Sequence, residues 1–418
     1  MVGTATILLR SATAILALLS NVRAAPTFEL SKRAVAFDYN ANKVRGVNLG
    51  GWFVLEPWIT PSIFGEWSSS NTVVDEYTYT KTLGKAEASS RLSNHWNTFI
   101  TQADFNAIAQ AGLNHVRIPV GYWAVAPLGG DPYVQGQLDV LDKAINWARG
   151  AGLKVMLDLH GAPGSQNGFD NSGKYGSIDW QQGDTVSQTL TALQNLANRY
   201  KGDTDVVTAV ELLNEPLGPR LNMGGVQDFY SKGSQTVQSA SSNFAIALHD
   251  AFQTDWSGFG GGIDNVMIDT HQYQIFSPDE VGRSPSEHVS HACGLGPQLA
   301  STNKWIVVGE WTGAQTDCAK WLNGLGKGAR YDGSFPDSRY TGDCKGKSVG
   351  SVASLSSNDK NNIRSYIEAQ LDAYEQHTGW FFWTWKTESA PEWDMQDLLA
   401  GGLFPQPLTS RQHPGQCG

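Results

Sequence analysis

Lys154-Val155-Met156-Leu157-Asp158-Leu159-His160 decides the fold. These residues scarcely alternate between apolar and polar, the pattern of a parallel strand buried on both faces. Seven further short apolar runs lie on either side of it: Val44 to Leu49, His115 to Val120, Val206 to Glu215, Phe244 to Asp250, Asn265 to His271, Trp305 to Glu310 and Trp380 to Trp385. Most are separated by segments of helical spacing, such as Leu92 to Ala111 and Val186 to Tyr200, so the chain reads as repeated βα units. Eight units in series predict an α/β protein built as one (β/α)8 TIM barrel, with its chemistry at the C-terminal ends of the strands.

Polar residues gather at those ends. Arg117 stands near the end of the second run, His160 after the third, Asn214 and Glu215 after the fourth, and His249 and Asp250 after the fifth. His271 and Tyr273 follow the sixth, Glu310 the seventh, and Trp383 and Trp385 the eighth. One polar end residue is ordinary, but the same position filled around a ring is not explained by packing. A lone glutamate there reads as a solvated side chain. Two on one face match retaining glycoside hydrolysis, in which carboxyl groups about 5 Å apart attack the sugar and protonate the leaving oxygen. Strict alternation would aim Asn214 and Glu215 to opposite faces, so a bulge or twist at that strand end is required.

Composition narrows the partners. The runs occupy most of the 418 residues without a Pro/Gly/Ser linker, so one catalytic domain is expected over 34–418. With 45 Gly and 15 Trp, the chain has the residues for tight βα turns and for a sugar-facing surface, although part of the Trp content serves the core. A formal net charge of -10 argues against nucleic acid or an anionic membrane and is compatible with a neutral polymer. Nothing calls for a metal or organic cofactor, and a monomer is expected.

The first residues read as a targeting segment. Arg10 precedes the apolar stretch Ala12 to Leu19, and Val22-Arg23-Ala24 ends in a small residue, which predicts a secretory signal over 1–24. Lys32-Arg33 would then close a pro-segment over 25–33 and start the mature chain at Ala34, outside the cell or in its wall. There is no Asn-x-Ser/Thr acceptor, so N-glycosylation is not expected. In an oxidising compartment Cys293, Cys318, Cys344 and Cys417 should form two disulfides. Three pairings are possible; Cys318 with Cys344 and Cys293 with Cys417 is preferred. His288, His291 and Cys293 suggest zinc only weakly, because His-x-x-His-x-Cys is not a common structural spacing.

Longer motifs then carry a resemblance. Arg45-Gly46-Val47-Asn48-Leu49-Gly50-Gly51-Trp52, Leu157-Asp158-Leu159-His160-Gly161-Ala162-Pro163-Gly164-Ser165-Gln166-Asn167, Leu213-Asn214-Glu215-Pro216, Gly309-Glu310-Trp311 and Phe382-Trp383-Thr384-Trp385-Lys386-Thr387-Glu388 are similar to those of fungal exo-β-1,3-glucanases of glycoside hydrolase family 5. The likeness runs from about Lys43 to Cys417. It implies Glu215 as acid/base, Glu310 as nucleophile and Asn214 as the partner of the sugar 2-hydroxyl. It also implies His160, His271 and Tyr273 around the cleaved sugar, Trp383 as its floor with Trp385 as second choice, and Phe169 and Phe276 as an aromatic clamp at the entrance. Glu56 and Asp170 are implied to meet hydroxyls of the terminal glucose; Asp131, Glu392 and Asp394 read as structural. Arg117 should keep Glu310 ionised, whereas Glu215, beside a second carboxylate, should have its pKa raised.

The segments Gly50 to Arg91 and Trp311 to Asn358 far exceed the 2 to 6 residues typical of βα connections, so they should wall the catalytic face into a pocket. The expectation is a secreted, retaining exo-β-1,3-glucanase that takes a β-glucan by its non-reducing end. The competing readings are a retaining β-glucanase of β-1,6 or β-1,4 linkage or endo mode, and a non-catalytic glucan-binding barrel. The last should have lost a glutamate or Asn214.

Overall fold

The computed structural model describes residues 35–418. The signal and pro-segments with Lys32-Arg33, and the start at Ala34, lie outside the described residues. Eight parallel strands close into a barrel in chain order. They are β1 (Val44–Asn48), β2 (His115–Gly121), β3 (Lys154–Gly161), β4 (Val207–Glu211), β5 (Ala245–His249), β6 (Val266–Gln272), β7 (Trp305–Trp311) and β8 (Gly379–Phe382). All eight expected runs are strands. Two end early: β4 stops four residues before Glu215, and β8 stops before Trp383.

Alternation along the strands sorts the barrel interior into layers. At the N-terminal end Val44, Met156, Ala209, Ala245, Met267, Val307 and Phe381 form an apolar layer, closed below by Tyr39 and flanked by Phe37. Two residues further along β3, β4 and β6 the interior turns polar, with Asp158, Glu211 and Asp269 fully buried together with Asn48 at the end of β1. A further step of two brings His160 and His271 to the catalytic face. Gly309 permits the polar layer, because a Cβ there would stand 2.1 Å from the Asp269 carboxylate. Instead its N–H donates to Asp269 Oδ1 at 2.8 Å, and its carbonyl accepts from Asn48 Nδ2 at 2.8 Å.

The helical expectation for Leu92 to Ala111 needs correction. This segment belongs to two helices, Glu76–Thr98 and Gln102–Gln110. The break falls at Thr101, whose N–H donates to Asp104 Oδ2 at 2.8 Å and so starts the second helix. The helix Thr185–Tyr200 fits the other expectation. Because Glu76–Thr98 is helical, the first long loop ends at residue 75 rather than at Arg91.

The second loop, 312–356, carries only one 3-10 turn, Val352–Ser354, and depends on side chains for its shape. Buried Asp317 accepts from the N–H groups of Arg330 (2.7 Å) and Tyr331 (3.0 Å). Cys318–Cys344 closes the same segment, and Cys293–Cys417 ties the tail to the helix Pro285–Ala300. With sequence separations of 26 and 124, chain-entropy arguments give the two bridges about 3.5 and about 5 kcal/mol. The second bridge takes up Cys293, and His288 Nδ1 donates to Gln274 Oε1, so the zinc spacing has no thiolate. Among the described residues no helix is long and apolar enough to cross a membrane.

Candidate active site

Arg117 organises the centre of the site. Its guanidinium is fully buried inside the barrel, where an uncompensated charge would be very costly. Nε donates to Glu211 Oε2 at 2.7 Å, Nη1 to Glu310 Oε1 and to Asn48 Oδ1 at 3.0 Å each, and Nη2 to Asn214 Oδ1 at 2.8 Å. Nη2 also lies 3.2 Å from Asp158. One planar fork thus orients Glu310 and Asn214 together, as a lysine ammonium could not. Asn214 is held from its other end too, Nδ2 donating to His160 Nε2 at 3.4 Å. Asp158 Oδ2 accepts from His160 Nδ1 at 2.6 Å and fixes that imidazole's tautomer.

Glu215 reaches the same space by a turn, not by a bulge in β4. The strand has already ended, and Glu215 adopts a left-handed φ of 46°, which rotates its side chain onto the side of Asn214. Asn171 Nδ2 donates to Glu215 Oε2 at 3.2 Å. His271 Nδ1 donates to Glu215 Oε1 at 2.8 Å and lies 3.4 Å from Glu310 Oε2. Those two carboxylate oxygens can therefore be at most about 6.2 Å apart, short of the spacing that admits a water between inverting carboxyls. Tyr273 O–H donates to Glu310 Oε2 at 2.8 Å.

Charge in the site corrects one expectation. Burial raises the Glu310 pKa, and although His271 and Arg117 pull it down, it remains above the ordinary glutamate value. Burial also raises that of Glu215, but the hydrogen bond and charge of His271 outweigh it and leave Glu215 lowered. His271 itself loses from burial but gains more from Glu310, Asp269 and Glu215, so it is held well above the usual histidine range. The order is thus the reverse of the expected one, because the His271 imidazolium stands between the two carboxylates and hydrogen-bonds Glu215.

These groups open onto a pocket of about 510 Å³ lined by Glu56, Asp170, Glu215, Glu310, Trp383, Phe169 and Phe276, among others. Glu56 Oε2 accepts from Trp58 Nε1 at 2.9 Å, and burial with the Asp170 charge holds its pKa well above normal. Burial and then Asp75 push the Asp170 pKa up to about 7, and its Oδ2 has no protein partner. Phe169 and Phe276 stand at the mouth, 39% and 43% exposed. Trp383 lies nearly parallel to the His160 ring at 5.6 Å. Trp385 does not share its face, as it would in a continued strand: the chain has left β8, and Trp385 turns away to donate to Asp104 at 3.0 Å. Asp131 accepts from Tyr122, and Asp394 caps the helix Met395–Ala400. Glu392 is buried against Thr316, its pKa pushed by burial to about 8. All three lie outside the carboxylate cluster.

Sequence reasoning passes over Glu211, Asp158 and Asp269, which share the charge of Arg117; the signal was a carboxylate inside an apolar run. It also passes over Phe252, a loop aromatic at the pocket. Phe252 follows Ala251, both with left-handed φ (60° and 53°), in a turn held by Asp250 Oδ1, which accepts the Phe252 N–H at 2.8 Å.

Known proteins agree with this architecture. The rutinosidase from Aspergillus niger superposes with a TM-score of 0.69 at 20% identity, over 88% of this chain and 99% of that one, a likeness of fold. A glucan 1,3-beta-glucosidase of Blumeria graminis is 59% identical over 97% of this chain and 96% of its own length. A probable glucan 1,3-beta-glucosidase A of Aspergillus niger is 55% identical over 96% of each. The family model named Cellulase (glycosyl hydrolase family 5) matches residues 78–327. The chain belongs to glycosyl hydrolase family 5.

Proposed function

We propose that this protein is a secreted, retaining exo-β-1,3-glucanase that removes glucose from the non-reducing ends of β-1,3-glucan, with Glu310 as nucleophile and Glu215 as acid and base. The observation that carries the reading is the buried glutamate pair bridged by His271, with oxygens at most about 6.2 Å apart. Both close relatives are named for the same activity. The two disulfides and the expected signal segment fit an extracellular site of action.

The chemistry follows from the contacts. Arg117 and Tyr273 hold the Glu310 carboxylate for attack on the anomeric carbon. As its charge passes into the new ester bond, the main electrostatic support for the proton on His271 disappears. That proton crosses the 2.8 Å hydrogen bond to the ionised Glu215, which passes it on to the departing oxygen. Glu215, now ionised, takes a proton from the water that attacks the glycosyl ester and frees Glu310. Asn214, clamped between Arg117 and His160, meets the 2-hydroxyl as oxocarbenium character grows. Glu56 and Asp170 meet hydroxyls of the terminal glucose, and Trp383 packs beneath it.

Laminarin should release β-glucose in the first minutes by NMR while its viscosity falls slowly, and pustulan and carboxymethyl cellulose should be poor substrates. Early mixed oligosaccharides would mean an endo enzyme, and initial α-glucose would remove the retaining mechanism. Secreted material should begin at Ala34 by N-terminal sequencing; a start at Ala25 would remove the pro-segment.

A further inference from the structure

Phe169 and Tyr175 form a ridge with a cavity on each side. The catalytic pocket lies on one side, and on the other is a groove of about 410 Å³ whose far wall is Leu217 and Arg220. We propose that this groove is a second glucan-binding site, which takes the leaving-group end of the same chain whose non-reducing end occupies the catalytic pocket. The inference rests on the reading of the protein as a β-1,3-glucanase.

Position supports it first. Leu217 and Arg220 follow the candidate acid Glu215 in the segment that leaves the strand end, and Arg220 closes the 3-10 turn Gly218–Arg220. The far wall is therefore built by the residues next to the proton donor, the side on which the leaving oxygen and the remainder of the chain must lie. A chain passing Glu215 and crossing the Phe169 ring descends into this groove.

The surface suits a neutral sugar polymer. Phe169 and Tyr175 are 39% and 47% exposed, and aromatic faces pack against pyranose rings. The ridge is held from both ends: the Phe169 N–H donates to Asn167 Oδ1 at 2.9 Å, and Lys327 Nζ donates to the Tyr175 hydroxyl at 2.8 Å. The floor is kept shallow by backbone, with the Gly176 N–H donating to the Gly168 carbonyl at 2.9 Å. Gly176, at φ +113, faces open space, since a Cβ there would meet nothing within 4 Å. The Leu217 N–H ties the far wall to Gln166 at 3.1 Å. The exposed Arg220 side chain has no hydrogen bond or ion pair among the described residues, and no carboxylate lines the groove. Its fork of N–H donors remains available to hydroxyl oxygens. This preformed groove need not be ordered by the substrate, so its contacts can appear directly as affinity for longer chains.

The test is the dependence of kcat/KM on chain length, from laminaribiose to laminarihexaose, for the parent enzyme, Arg220→Ala and Ser177→Trp. Ser177 is an exposed lining residue, so the bulky replacement fills the groove from the solvent side. The ratio of kcat/KM for the hexaose to that for the biose should fall about tenfold in each variant, the loss of roughly one hydrogen bond to a charged donor or of equivalent packing. A ratio unchanged from the parent in either variant overturns the second site. If the parent enzyme cleaves none of these oligomers, the glucanase reading fails first and the groove assignment falls with it.

Discussion

Replacing Tyr273 with Phe removes one oxygen and one hydrogen bond from the candidate nucleophile. The O–H donates to Glu310 Oε2 at 2.8 Å, and the ring itself packs at 5.6 Å from Trp393 and 5.5 Å from Phe276, contacts that Phe preserves. A hydrogen bond to a charged group is worth about 1.5 to 3 kcal/mol, so the ionised form of Glu310 should lose about 2 kcal/mol of support. The neutral form loses little, so the Glu310 pKa, already above normal through burial, rises further. The sign follows: a nucleophile that ionises at higher pH moves the acid limb of the kcat/KM profile upward. With an activated aryl β-glucoside, kcat/KM at the parent's optimum should drop about 30-fold, with the acid limb displaced upward by about 1.5 pH units and the thermal midpoint nearly unchanged. An unmoved acid limb with kcat/KM within twofold of the parent would refute the argument that Tyr273 supports the charge on Glu310.

Removing each glutamate should open a hole on a different side of the sugar. Glu310→Ala should be nearly inactive and, with azide, yield the α-glucosyl azide from an activated substrate; Glu215→Ala should still form the ester and yield the β-glucosyl azide, so identical products from both would end the role assignment. Glu392, buried and raised from 4.5 to about 8, favours the folded state fully below pH 4.5, and that stability is lost as pH rises through 8. Between pH 5 and 8.5, Glu392→Gln should gain on the parent by on the order of 4 kcal/mol in urea unfolding; an equal response of both proteins to pH would show that Glu392 does not titrate in this way. Replacing Cys318 and Cys344 by Ala should cost about 3.5 kcal/mol of stability and loosen the pocket wall, raising KM for laminarin more than it lowers kcat. A KM equal to the parent's would mean that the hydrogen bonds of Asp317 shape that wall unaided.

How much of this was legible depends on how far each signal extends along the chain. Strand runs are local, because burial on both faces imposes an unbroken apolar stretch such as Val155 to Leu157, and all eight strands could be located from them. Their ends were less legible: β4 and β8 stop early because Glu215 and Trp383 belong to turns, and a left-handed φ at a glutamate leaves no mark on composition. The loop aromatics Phe252 and Tyr175 sit where no period repeats, so they emerge only from the pocket they line.

The sequence by itself determined the barrel, the two glutamates at strand ends and the four cysteines, since each is a property of short segments or of residue identity. Tertiary structure alone decided how the charges balance. Arg117, Glu211, Asp269 and Glu310 come from four different strands and meet within one or two hydrogen bonds only when the barrel closes. The distance between charges, which no spacing along the chain encodes, sets their interaction. It is this distance that puts the proton on His271, between the two glutamates.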